Sequence, residues 1–372
     1  MFKTPNQRQS KRFLEGHSID HCKCRMSRRM SNAPLPSAVF LDTSILAGQN
    51  FNFESTALAS FVPVAKRGGL KFLLPDPTER EVIRQIDERS VKALEALARA
   101  RREAPFLAKW KHFPPIRPSR ALAHPATNWE VRQIAMQEWE SFLKQFHVIK
   151  IDYKGLDVSL VMRWYDETTP PFREGPKRKE FPDAFAVAML ADYARTHDCV
   201  VAVVSADNDF KLACERYTSF LYFDALPALT ELLLADPEKI EKIRAAILED
   251  MSELKVALVD EANKQDYGHV DSNYTIKKSA VHSVDVNEVR IVALGVNECT
   301  ATFEAELETE HLVKQTYWDD DSGDPDEEKW VYALDRITGT AKFGLDSSSK
   351  VKSITSIDTD IGSIEITSYP ED

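Results

Sequence analysis

Two stretches of this chain are apolar at every position and are closely followed by an acid. Ala38-Val39-Phe40-Leu41 leads to Asp42, and Val200 to Val204 leads to Ser205-Ala206-Asp207. A strand with one face in water alternates apolar and polar residues. A short continuous apolar run instead needs cover on both faces, the condition of a central strand in a parallel sheet. Further strands are expected at Leu70 to Leu74, Val148 to Ile151 and Phe220 to Phe223.

Helical patterns lie between them. Ala57, Leu58, Phe61, Val62 and Val64 mark one helix, and Pro75-Asp76-Pro77-Thr78 stops a strand and starts another through Val82, Ile83 and Ile86. Trp129, Ile134, Trp139 and Phe142 mark a third helix, a fourth is expected near 156–166, and Pro182 opens an apolar helix to Ala194. More helices fill about 226–262. Strands alternating with helices imply a parallel α/β/α sandwich with right-handed crossovers. Its expected extent is 35–262, with a helical insertion at about 89–146. After about residue 275 the pattern changes. Val284–Leu294, Thr300–Leu307, Trp330–Leu334, Gly339–Phe343 and Ile361–Ile366 read as strands of a small all-β domain covering 275–372, with an acidic loop at Asp319–Glu328.

Residues 1–34 hold eight Lys and Arg and little apolar material, and read as a disordered basic tail. They lack the apolar core of a secretory signal. His21, Cys22 and Cys24 have no second ligand pair at zinc-site spacing. No apolar run approaches the roughly 18 residues of a membrane span. Five scattered cysteines argue for a reducing cytoplasm and against a disulfide framework. The net charge of −11 is unevenly placed. Residues 263–372 hold 10 Lys and Arg against 23 Asp and Glu, whereas 1–262 hold 38 against 36. Overall acidity therefore does not exclude a nucleic-acid partner for the α/β part.

A doubly wound sheet gathers its chemistry beyond the carboxyl ends of its strands. Asp42 ends the first strand, Glu81 sits on the helix after the second, Glu180 and Asp183 flank the Pro182 helix start, and Asp207 and Asp209 follow the fourth. Several carboxylates in one cleft repel one another. A hard dication such as Mg2+ or Mn2+ relieves that repulsion, and two such ions can activate water at a phosphodiester. Each acid alone also has a plain structural reading. Asp42-Thr43-Ser44 suits a helix cap, Thr78 to Glu81 suits a capping box with Thr78 as N-cap, and Asp183, Asp207 and Asp209 suit helix N-termini. The chemical reading rests on their joint placement.

Val39 to Ser44, Thr78 to Val82, Phe181 to Ala184 and Val204 to Phe210 resemble the ordered motifs of the PIN-domain family over about residues 37–225. The resemblance implies a Mg2+- or Mn2+-dependent nuclease, most often an endoribonuclease. Asp42, Glu81, Asp183 and Asp207 would be the ligands, with Asp209 and Glu180 as auxiliary acids. Ser44 and Ser205 would orient a carboxylate or water. Compact PIN toxins lack the 89–146 insertion and the β domain.

Substrate phosphates need positive charge nearby, and Arg173, Lys177, Arg178 and Lys179 precede the Asp183 helix. The arginines of 89–120 are a second candidate, weighed evenly against a solvated helix face. Trp110, Trp164 and Phe172 fit core packing better than base stacking. RNA, single-stranded or structured, is the expected partner, with DNA as the other substrate. A catalytically inactive RNA-binding or scaffolding module is the competing function. A phosphoaspartate hydrolase would need Asp where Ser44 stands, and a Toprim site would need Glu where Asp42 stands. The β domain is expected to serve a protein partner, a second copy of the chain or regulation of the cleft, with nothing choosing among these.

Overall fold

The computed structural model describes residues 35–106, 125–173, 180–234, 236–264, 267–269, 274–315, 328–346, 348, 350–359 and 364–366. The tail with His21, Cys22 and Cys24, then Trp110, Lys177, Arg178, Lys179 and most of the acidic loop lie outside them.

Five parallel strands form the first sheet: β1 (Ala38–Leu41), β2 (Lys71–Pro75), β3 (His147–Ile151), β4 (Val201–Val204) and β5 (Phe220–Phe223). Their order is β3-β2-β1-β4-β5. Strand order therefore reverses between β1 and β4, the two apolar runs that end in acids. Alternate β1 side chains enter two different cores. Val39 and Leu41 join Phe61, Phe72 and Trp139 on one face. Ala38 and Phe40 join Trp164, Val187 and Phe210 on the other. This two-sided burial is why β1 carries no polar position.

The helices covering the sheet are α1 (Thr43–Gly48), α2 (Thr56–Arg67), α3 (Asp76–Glu103), α4 (Pro125–Leu143), α5 (Val158–Asp166), α6 (Phe181–His197), α7 (Asn208–Cys214) and α8 (Leu226–Leu232). The region read as an insertion contributes to the core, because Trp139 and Phe142 of α4 pack with Phe53. Trp164 and Phe172 are buried core residues and do not offer faces for bases. No helix among the described residues is long and apolar enough to cross a membrane.

One local expectation is corrected. Pro75 is the last residue of β2, paired with Ile151, and α3 begins at Asp76. Thr78 therefore lies inside the helix, and the Thr78–Glu81 capping box does not form. Proline lacks the N–H that the edge of a strand or a helix N-terminus can spare, so Pro75 closes the strand and admits the helix at once.

Two further helices, α9 (Pro237–Glu249) and α10 (Ser252–Ala262), lead to an antiparallel meander. Its strands are β7 (Tyr274–Leu294), β8 (Glu298–Gln315), β9 (Glu328–Leu345) and β10 (Val351–Thr359), in the order β10-β9-β8-β7. Short β6 (Tyr267–His269) and β11 (Ile364–Ile366) pair in parallel beside it. The β7–β8 pairing slips at four places, near 277, 282, 287 and 292. Bulges at that spacing bend a ribbon too long to stay flat. Phe303, Leu307, Ile337 and Phe343 on one face pack with Ile243, Ile247, Leu254 and Leu258 of α9 and α10, and with Val64 of α2. Glu231 of α8 fastens the junction, accepting the Ile291 N–H at 3.0 Å and pairing with Arg244.

Two strand expectations also change. Trp330–Leu334 and Gly339–Phe343 are parts of one strand, β9. Residues 351–359, expected as no strand, form β10. Of the expected strand Ile361–Ile366, residues 361–363 lie outside the described residues and Ile364–Ile366 forms β11.

Candidate metal centre

The end of β1 is stitched to the end of β4. The Asp42 N–H donates to the Val204 carbonyl at 2.9 Å. Asp42 Oδ2 accepts the Ser44 hydroxyl at 2.5 Å and the Ser205 hydroxyl at 2.8 Å. Each serine also accepts a backbone N–H, Ser44 from Ala206 at 3.2 Å and Ser205 from Asp207 at 3.1 Å. Asp42 occupies the N-cap of α1 without making a side-chain cap bond. The residue is instead buried, only 9% exposed. Burial raises its pKa, and the two hydroxyls, with the Thr43 and Ser44 backbone N–H groups, pull it back part of the way.

Asp207 does cap its helix, accepting the Asp209 N–H at 2.7 Å. Asp209 is buried and forms an ion pair with Arg173. Arg173, expected at substrate phosphates, is thus engaged with an acid of the cluster. Tyr222 of β5 donates its hydroxyl to the Ser205 carbonyl, bracing the turn that carries the serine. Burial is the leading cause that pushes the Tyr222 pKa up to about 12, so it stays a donor. Nothing in the sequence singled Tyr222 out, since a tyrosine in a short strand reads first as packing.

Asp183 lies in the first turn of α6, after N-cap Glu180 and with Pro182 in that turn. Its pKa is pushed up to about 8, chiefly by burial and then by the charges of Asp42, Glu180, Glu81 and Asp207, in that order. Four acids from four separate segments therefore act on one carboxyl group. Glu81, sixth in α3, is positioned by Gln85, whose amide donates at 2.9 Å, and by Arg84 at 3.5 Å. Carboxylate oxygens of Glu180, Asp207 and Asp209 lie within 4.8 Å of one another.

This donor set fits a divalent cation. All donors are carboxylate oxygens, the preference of hard ions. Burying several like charges together is unfavourable unless an opposite charge joins them. The structure brings Asp42, Glu81, Glu180, Asp183, Asp207 and Asp209 to one end of the sheet, with Ser44 and Ser205 beside Asp42. Those acids stand at the switch in strand order, where parallel α/β proteins bind ligands.

An acid-lined switch point in such a sandwich could hold a divalent cation. Residues 39–210 match the family model described as PIN domain, a family whose members are generally nucleases. The matched stretch contains all six acids and both serines. No curated protein matches the chain.

Proposed function

We propose that the PIN domain is a metal-dependent endoribonuclease that hydrolyses phosphodiester bonds. The observation that carries this reading is Asp183, a largely buried carboxyl pressed by the charges of Asp42, Glu180, Glu81 and Asp207. A cluster of that kind is unfavourable for folding and is retained for binding charge. Asp42, Glu81, Asp183 and Asp207 would be the ligands of Mg2+ or Mn2+, with Glu180 and Asp209 as auxiliary acids.

The bound ions would supply an activated water and neutralise charge on the scissile phosphate. The chain's own residues do the positioning. Ser44 and Ser205 fix one oxygen of Asp42. Gln85 holds Glu81 on the α3 side of the cleft. Arg173 balances Asp209, so that buried acid does not add its full charge to the site. Lys177, Arg178 and Lys179 are proposed to meet substrate phosphates. The β domain remains the proposed site for a protein partner or a second copy.

The test is Mn2+-dependent cleavage of single-stranded RNA by wild type, Asp42→Asn, Asp207→Asn and the double variant. Cleavage should be lost in each variant while thermal unfolding stays cooperative. Undiminished cleavage by the folded double variant removes this site from the mechanism. A parallel series on single-stranded DNA decides the sugar.

A further inference from the structure

A cleft of about 480 Å3 lies between the carboxyl edge of the parallel sheet and the meander. That volume suits a small organic ligand or one unit of a polymer. Ser44 and Ala206 line it. Both belong to the hydrogen-bond network around Asp42, so the cleft opens beside the candidate centre. Its far wall includes Arg290 of β7, Glu304 of β8 and Asp358 of β10.

Two polar atoms in this lining are buried and lack a hydrogen-bond partner: Arg290 Nε and Ser55 Oγ. A buried donor left unmade costs about 1–3 kcal/mol, so a native structure seldom retains one without a use. Arg290 is also oriented, because its terminal nitrogen contacts Glu288 at 2.5 Å while Nε is left over. The Glu231 bridge to Ile291 holds the adjacent backbone of β7 in place.

The charge of the lining says what kind of group fits. Asp224, Glu288, Glu304 and Asp358 outnumber the single Arg290. A phosphate would meet net repulsion there. A nucleobase is neutral and carries both acceptors and N–H donors on its edge. Arg290 and Ser55 can donate to its acceptors, while carboxylates and threonine hydroxyls take its amino groups. Single-stranded nucleic acid is read in this way, through base edges turned into a pocket.

We propose that this cleft is a base-binding subsite for a nucleotide flanking the cleaved bond, so that the C-terminal sheet sets base preference at the cut. The proposal rests on the nuclease reading above. It assigns the meander a role in selecting substrate, with Arg290 and Ser55 as specificity-determining residues.

The experiment digests a random single-stranded RNA pool with full-length protein and sequences the new ends. Wild type should show a base bias at one position beside the cut. Arg290→Gln and Ser55→Ala should weaken that bias at least about fivefold at the same position, the size expected from losing a base-edge contact. Arg290→Lys keeps the charge but not the planar donor set, and should also lose the bias. Bias unchanged in the folded variants, or absent from wild type that cleaves, overturns the proposal. If wild type does not cleave, the nuclease reading fails and a second measurement decides the subsite. A short single strand carrying photoreactive bases is then cross-linked to the metal-free protein and mapped. Cross-links at peptides containing Arg290 or Ser55 support the cleft, and cross-links confined elsewhere reject it.

Discussion

The Ser205 hydroxyl donates to Asp42 Oδ2 at 2.8 Å, joining residues 163 positions apart at the ends of two neighbouring parallel strands. Ser44 donates to the same oxygen. The carboxylate is thereby fixed in a site that burial makes unfavourable for its charge. Removing a partner that orients a metal ligand typically costs roughly 10- to 100-fold in metal affinity.

Ser205→Ala should therefore lower Mn2+ affinity by roughly 10- to 100-fold while keeping the fold. Calorimetric titration of Mn2+ into the purified variant measures this. An affinity equal to wild type would mean that the serine serves only to brace the β4 turn.

Glu81→Gln separates ligand from helix support. Glu81 lies beyond the first turn of α3, so its loss should change unfolding free energy by no more than about 0.5 kcal/mol. Mn2+ affinity should fall clearly in the same protein. A large stability loss with unchanged affinity would return Glu81 to a structural role.

Asp183→Asn replaces the most crowded carboxyl group of the cluster, whose charged form burial and the neighbouring acids disfavour in the folded state. In metal-free buffer near neutral pH the variant should be more stable than wild type, by on the order of 1–3 kcal/mol. Added Mn2+ should raise the melting temperature of wild type and not of the variant. A variant less stable than wild type without metal would contradict the view that burial and neighbouring charge disfavour this carboxylate.

His311 gives the meander a pH dependence of its own. Its ring is buried between the Ser279 and Thr309 hydroxyls at 2.8 and 2.7 Å, and burial lowers its pKa to about 4. In the unfolded chain the group titrates near 6.5. Between those values the unfolded state binds the extra proton, so stability falls as pH drops from about 6.5 to 4. The loss is on the order of 2–3 kcal/mol and should shrink in His311→Gln. Urea unfolding at pH 7 and pH 5 measures it, and an equal pH slope in both proteins would exclude His311 as the source.

Much of the α/β part was legible in the sequence, and for a physical reason. Phe40 and Val39 lie one residue apart yet enter opposite cores, so no polar residue is tolerated in β1 and the strand announces itself. Pro182 marks the start of α6 because a proline is well placed in a first helical turn. The meander was harder to read. In β10, Val351 to Thr359 is mostly Ser, Thr, Lys and Asp, as an edge strand half in water permits. In β9, Asp335-Arg336 interrupts the apolar pattern, yet Arg336 pairs across to Glu306 and the ladder continues. Propensity favours a break there, and cross-strand pairing prevails.

By itself the sequence determined the alternation of strands and helices, the burial of β1 and β4, and the placement of an acid after each. Those are local properties, set by which side chains exclude water and which end a strand. Only the tertiary structure decided that Ser205 holds Asp42, that Arg173 is taken up by Asp209, that Glu81 is no helix cap and that Arg290 faces the same edge from a different sheet. Each depends on where separate segments meet, and side-chain chemistry read along one segment carries no distance to another.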